Sequence, residues 1–160
     1  MNWMKKVAVA LVCLLPLGLQ AAKIDTLQVK SPSMNKSIEV VVVSPDVAAT
    51  KACPVIYLLH GYGGNARTWV GIKPDLPKIA DEKGIFFVCP DGKNTWYWDS
   101  PLNADVRYET FISDELVKYV DSHYKTVADR KGRAITGLSM GGHGAMWNGL
   151  RHSDVFSAAG

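Results

Sequence analysis

The chain holds 160 residues, with 18 Lys and Arg against 15 Asp and Glu, 48% apolar residues and three cysteines. That length suits one modest core, and a net charge of +3 offers no basic field to nucleic acid or an anionic surface. No internal repeat, low-complexity tract or charge block divides the sequence.

Residues 1–22 read as a signal peptide. Lys5 and Lys6 precede an apolar run from Val7 to Leu19, and the small residues Ala21 and Ala22 close it. That run of 13 residues is shorter than the roughly 20 a membrane-spanning helix needs. Val12 stands ahead of Cys13, where a lipoprotein signal wants a small residue. A cut after Ala21 or Ala22 leaves residues 22–160 or 23–160 as an exported domain, periplasmic or extracellular, near neutral and with no membrane attachment.

Residues 24–30 and 38–44 are β-rich stretches joined by the turn-rich "SPSMNK", which predicts an antiparallel hairpin. "VIYLLH", after Pro54, is a continuous apolar run ending in a Gly-rich loop, as in a strand buried on both faces. A short helix is expected over 75–83, with Leu76, Ile79 and Ala80 on one face and Gly84 at its end. "IFFVCP" is the next buried strand. The aromatic loop "DGKNTWYWDSPLNAD" leads to a longer helix over 107–124. Its apolar stripe is Tyr108, Phe111, Ile112, Leu116, Tyr119, Val120 and Tyr124. "RAITGLS" reads as a strand and "MGGHGAMWNGLRHS" as a helix. The alternation means an α/β fold: a mainly parallel sheet with right-handed crossovers and an N-terminal antiparallel hairpin. Cys53 opens one parallel strand and Cys89 closes the next, which puts the sulfurs about 15–20 Å apart. A disulfide needs Cα atoms within about 7 Å, so two buried free thiols are expected.

Gly137-Leu138-Ser139-Met140-Gly141 fits G-x-S-x-G, with a strand running into it and a helix leaving it. Such a turn is too crowded for side chains two residues either side of the serine. Gly137 and Gly141 meet that demand, and the helix amino terminus favours negative charge developing at Ser139. "HGYGG", residues 60–64, leaves an earlier strand at the same sheet edge, where a second oxyanion donor arises.

These segments, with "PDGKNTWYWDSP" and "YETFISDELVKYVDSHY", resemble an esterase family of α/β hydrolases. Its members include feruloyl esterases, esterase D-type S-formylglutathione hydrolases and bacterial mycolyltransferases. The resemblance runs from about residue 24 to 160 and implies the α/β-hydrolase fold. It implies Ser139 as nucleophile, with the backbone N–H groups of Met140 and Tyr62 as oxyanion donors. Each donor of that kind contributes about 3–4 kcal/mol to the transition state. Gly61 and Gly63 shape the Tyr62 loop, and His60 is a loop-shaping residue rather than a catalytic one.

The triad order of such folds is Ser, acid, His, and after Ser139 the chain offers His143, His152 and Asp154. His143 and His152 lie along the elbow helix, pointing away from the hydroxyl, and are expected to pack or cap; Asp154 forms a turn. Asp91 and Asp99 sit in loops at the active edge, with turn or capping roles expected of both. Trp96, Tyr97 and Trp98 either line a cleft or pack the loop, and Trp96, Trp98 and Asp99 are the candidates for substrate contact. No cluster at metal-ligand spacing and no phosphate-binding loop is present in the sequence, so no cofactor is expected.

The sequence therefore supplies a nucleophile and an oxyanion frame without a base. The family carries about a hundred further residues with the acid and histidine, so the chain reads as the amino-terminal part of an enzyme, ending after the elbow helix. The expected function is a secreted serine carboxylic-ester hydrolase acting through an acyl-enzyme, on a small-molecule or carbohydrate-linked acyl or feruloyl ester. An acyltransferase of the same fold and a non-catalytic carbohydrate-binding protein are the alternatives. A "RAITGL" strand lacking an outer neighbour is expected to make residues 22–160 prone to aggregation.

Overall fold

A computed structural model describes residues 22–160; the expected signal sequence, apart from Ala22, lies outside them. Six strands form one sheet in the order β1-β2-β4-β3-β5-β6. They are β1 (Lys23–Ser31), β2 (Lys36–Ser44), β3 (Val55–Leu59), β4 (Phe86–Pro90), β5 (Arg133–Gly137) and β6 (Ala158–Ala159). β1 and β2 pair antiparallel, from Lys23 opposite Ser44 to Ser31 opposite Lys36, and β2 pairs antiparallel with β4. β4, β3, β5 and β6 run parallel.

The two faces are buried by different elements. Val40, Val41, Val42 and Val43 of β2 are all fully buried, although successive side chains point to opposite faces. Val40 and Val42 join Val55, Tyr57, Leu59, Val88 and Ile135 against Phe111, Ile112, Leu116 and Val120. Val41 and Val43 join Leu58 and Phe87 against Leu76 and Ala80. A strand covered on both sides must be apolar throughout, which is why β2 reads as an unbroken valine run.

Two helices cover the Leu76 face: α1 (Thr68–Ile72) and α2 (Leu76–Lys83), with Gly84 left-handed at φ 63° to end α2. On the other face α3 (Tyr108–Thr110) continues through a π-helical turn, Phe111–Leu116, into α4 (Val117–His123). Within that turn the Ser113 hydroxyl donates to the Glu109 carbonyl at 2.6 Å. α5 (Met140–Arg151) follows β5 directly. α1 was not legible beforehand, because "TWVGI" is β-rich and carries a glycine. Asn65 and Thr68 start it locally, the Asn65 Oδ1 accepting from the Arg67 N–H at 2.8 Å.

One expectation is corrected. β5 is not bare on its outer side: Ala134 and Ile135 face Ala158 and Ala159 of β6. The Ser157 and Gly160 N–H groups donate to Arg133 and Ile135 carbonyls at 3.0 and 3.1 Å. Half of the outer edge is thereby occupied, which weakens the aggregation argument from an exposed strand.

Cys53 and Cys89 are buried and free. Burial pushes the Cys89 thiol up to about 12 and raises Cys53 as well. Since only thiolate reacts, a disulfide-exchange reagent should find neither thiol in folded residues 22–160 and both after denaturation without reductant. Fast labelling before unfolding would contradict this packing.

Candidate active site

Ser139 stands exposed at the tip of the β5–α5 turn with φ 51° and ψ −112°, a region that costs a non-glycine residue about 1–3 kcal/mol. Its surroundings enforce the conformation. A Cβ on Gly137 would lie 2.4 Å from the Gly141 carbonyl carbon, and one on Gly141 only 2.2 Å from the Leu59 carbonyl oxygen. The Leu138 N–H donates to that same Leu59 oxygen at 3.1 Å, stitching the elbow to the end of β3. The Met140 side chain is fully buried beneath the turn.

The 60–64 loop leaves β3 and passes against the elbow: a Cβ on Gly61 would be 3.4 Å from the Leu138 oxygen and 3.7 Å from the Ser139 Cβ. Gly63 takes a positive φ of 77° at the loop tip, and its N–H donates to Asn94 Oδ1 at 2.7 Å. Among the described residues, neither the Tyr62 nor the Met140 N–H has a hydrogen-bond acceptor outside the helices and strands. The two proposed oxyanion donors thus come from the first residue of α5 and from the 60–64 loop, which passes against the elbow at Gly61.

His60 organises this loop from below. It is 1% exposed, and its Nε2 accepts the Gly92 N–H at 2.9 Å, so the neutral ring carries its proton on Nδ1, which donates to the Gly61 carbonyl at 2.7 Å. Asp91 Oδ1 lies 3.5 Å from the same Nε2. Asp91 also pairs with Lys93, at 2.6 Å. Burial alone would raise the Asp91 carboxyl; the neighbouring His60 ring and the hydrogen bonds and charge of Lys93 together outweigh it and hold the group well below the usual range. Asp91 thus has the turn role its sequence suggested, also accepting the Lys93 N–H at 2.9 Å.

The aromatic loop splits in two. Trp96 and Tyr97 both take positive φ, 58° and 59°, and the backbone reverses so that Trp96 and Trp98 are each 44% exposed while Tyr97 is fully buried. Tyr97 is therefore not a cleft residue. Its ring fills the space where Gly92 and Gly144 would otherwise carry side chains, with Cβ positions 2.0 and 2.5 Å away, and its hydroxyl donates to the His60 carbonyl at 3.1 Å. Trp96, Trp98 and His143 line a cavity of about 300 Å³. Trp147 extends this aromatic surface, stacked on His143 at 6.1 Å and meeting Trp98 edge-on at 6.2 Å.

Asp99, a candidate substrate contact, is engaged elsewhere. Both carboxylate oxygens hold Thr110, accepting its N–H at 3.0 Å and its hydroxyl at 2.6 Å, at the start of α3. The sequence missed Glu109. This buried carboxylate accepts from Trp147 Nε1 at 2.7 Å, Arg151 Nε at 2.8 Å and His152 Nε2 at 2.9 Å, clamping α5 to α3. The signal was visible only as Trp147 and Arg151 at helical spacing, with no hint of their partner.

The chain has four histidines. His60 is buried beneath the loop, and His123 bonds the Tyr119 carbonyl at 2.8 Å. His143 bonds the Trp96 carbonyl at 3.2 Å and His152 bonds Glu109, so the packing and capping roles expected of these two fit the contacts. None of the four bonds the Ser139 hydroxyl. No group of metal-ligating residues forms among the described residues.

A family model described as "Putative esterase" matches residues 31–160. "Esterase Rv1288" of Mycobacterium tuberculosis is 29% identical over 139 residues, covering 82% of this chain and 30% of its own. An acetyl esterase of Caldicellulosiruptor saccharolyticus is 31% identical over 102 residues, 63% of this chain and 37% of its own. A solved ferulic acid esterase superposes with a TM-score of 0.74 at 31% identity, over 87% of this chain and 61% of that one. The chain thus spans about a third of the length of these two curated relatives.

Burial alone would raise the Glu109 carboxyl; Arg151, Trp147 and His152 outweigh it and lower it. Its contribution to stability is therefore complete above the ordinary value of about 4.3 and lost as pH falls through the lowered one. Glu109→Gln should lose about 2–3 kcal/mol at neutral pH and flatten the acid limb of the stability–pH curve, measured by urea melts between pH 3 and 7. An unchanged acid limb would contradict the clamp.

Proposed function

Since the chain belongs to the esterase family of the α/β-hydrolase fold, we propose that it is the nucleophile-bearing part of an exported serine carboxylic-ester hydrolase. The observation that carries this reading is Ser139 itself, exposed on a strained elbow beside the unengaged N–H groups of Met140 and Tyr62. The Ser139 Oγ attacks the ester carbonyl carbon and passes its proton to a base. The carbonyl oxygen becomes an oxyanion facing the two N–H groups. Collapse expels the alcohol and leaves acyl-Ser139, which water then cleaves by the reverse steps. If a sugar hydroxyl intercepts the acyl-enzyme instead, the same machinery is an acyltransferase.

The base is not among the four histidines of this sequence, so on this proposal an acid and a histidine come from outside these 160 residues. Trp96 and Trp98 support an acyl or feruloyl ester linked to carbohydrate, since their exposed rings suit the apolar face of a sugar or an aryl group. The missing base equally favours a second reading, in which the chain binds carbohydrate without turning it over. The leader pattern of residues 1–22 supports export to the periplasm or the exterior.

Ester turnover on p-nitrophenyl acetate should fall about a millionfold below an intact triad, and Ser139→Ala should lower it little further, because the remnant comes from the oxyanion frame and binding. Turnover at the level of a complete esterase would show that a base lies within the 160 residues. Binding of feruloylated xylo-oligosaccharides should survive Ser139→Ala and weaken about tenfold in Trp98→Ala, measured by calorimetry. Equal affinity in both variants would remove the aromatic surface from the substrate site.

A further inference from the structure

Two contacts fix Ala22 where β1 begins. Its backbone nitrogen donates to Asp81 Oδ2 at 2.7 Å, and its methyl group packs against the cluster holding Val41, Val43 and Phe87. Asp81, on α2, also accepts the Asp46 N–H through Oδ1 at 2.8 Å. One carboxylate thus joins the start of β1, the turn after β2, and α2. Among the described residues no cation pairs with it: Lys23 pairs with Asp25 at 2.9 Å and Lys78 with Glu82 at 3.6 Å.

We propose that hydrolysis of the Ala21–Ala22 bond gives Ala22 an α-ammonium group that Asp81 captures as an ion pair, so that leader removal completes this corner of the fold. The proposal rests on the segment ahead of Ala22 being a leader, as in the proposed export. Water adds across the peptide bond under an endopeptidase of the export machinery that cuts after small residues. The carbonyl carbon gains the water oxygen and Ala21 departs as a carboxylate. The Ala22 nitrogen keeps the bonding electrons, takes up both protons of the water and becomes ammonium. A neutral N–H donor is then replaced by a charged one at the same carboxylate, and charge-assisted bonds are about twice as strong. The alternative cut, after Ala22, discards both the Asp81 bond and the methyl contact. The geometry therefore selects between two cuts that the sequence leaves open.

The test is to express the full chain in a host with a general secretory pathway and read the exported amino terminus by sequencing and intact mass. Ala22 as first residue is expected. Lys23 first overturns the docking proposal and leaves export standing; a retained Met1 with no exported product overturns the leader itself. On the Ala22-start protein, capture keeps the α-amine protonated. Labelling with an amine-selective reagent at pH 7 should then run about three- to tenfold slower than in Asp81→Asn, with Asp25→Asn as a control that leaves the rate unchanged. Equal rates in wild type and Asp81→Asn overturn capture. In wild type alone, so does an α-amine that titrates at its ordinary value of about 7.7–8.0.

Discussion

Where β3 and β5 end, three backbone segments meet with no room for a methyl group between them. Gly141 sits against the Leu59 carbonyl, and Gly137 against Gly141. This contact decides the rest of the edge. It forces the turn between Gly137 and Gly141 to be tight enough that Ser139 adopts φ 51°, with α5 starting at the very next residue, Met140. The strain is held by what lies below: Met140 and Ala145 are fully buried, as are Leu59 and Ile135 on the strands beneath. A turn of this kind survives only where surrounding packing over-determines it.

A second layer of constraint carries that geometry into the loops. His60 receives a backbone N–H from Gly92, the loop after β4, and gives its own to Gly61, the loop after β3. Tyr97 then bonds the His60 carbonyl, and Asn148 on α5 donates to the Tyr97 carbonyl at 3.0 Å. The chain of contacts runs from one loop to the next and back to the elbow helix. These bonds tie the loops at the sheet edge to one another and to α5, while the buried Asn148 Oδ1 finds no partner among the described residues.

The sheet was legible because its strands are apolar on both faces, and the elbow because its glycines are spaced for one kind of turn. The hairpin, the order of strand and helix, and Gly84 as the end of α2 all followed from periodicity and turn chemistry. What stayed hidden depends on partners distant in sequence. Glu109 looks like one more polar residue at the start of a helix until α5 brings Trp147, Arg151 and His152 to it. For Asp99 the turn or capping role was legible, but not that Thr110 would take both of its carboxylate oxygens. Tyr97 was indistinguishable from its tryptophan neighbours, since two successive left-handed residues cannot be read from "TWYWD". The short strand β6 was not foreseen, because two alanines carry no pattern.

Tyr97 has a consequence beyond its own packing. Of three adjacent aromatic residues, the middle ring is locked between Gly92 and Gly144 and tied to the loop beside Ser139, while its neighbours expose their rings and are held through their backbone carbonyls, Trp96 by His143 and Trp98 by the Tyr108 N–H. The loop therefore behaves as a socket with exchangeable fittings. Trp96 and Trp98 can be traded for other side chains at less cost to the elbow than Tyr97, so this exposed surface can change while the turn that holds Ser139 stays constant.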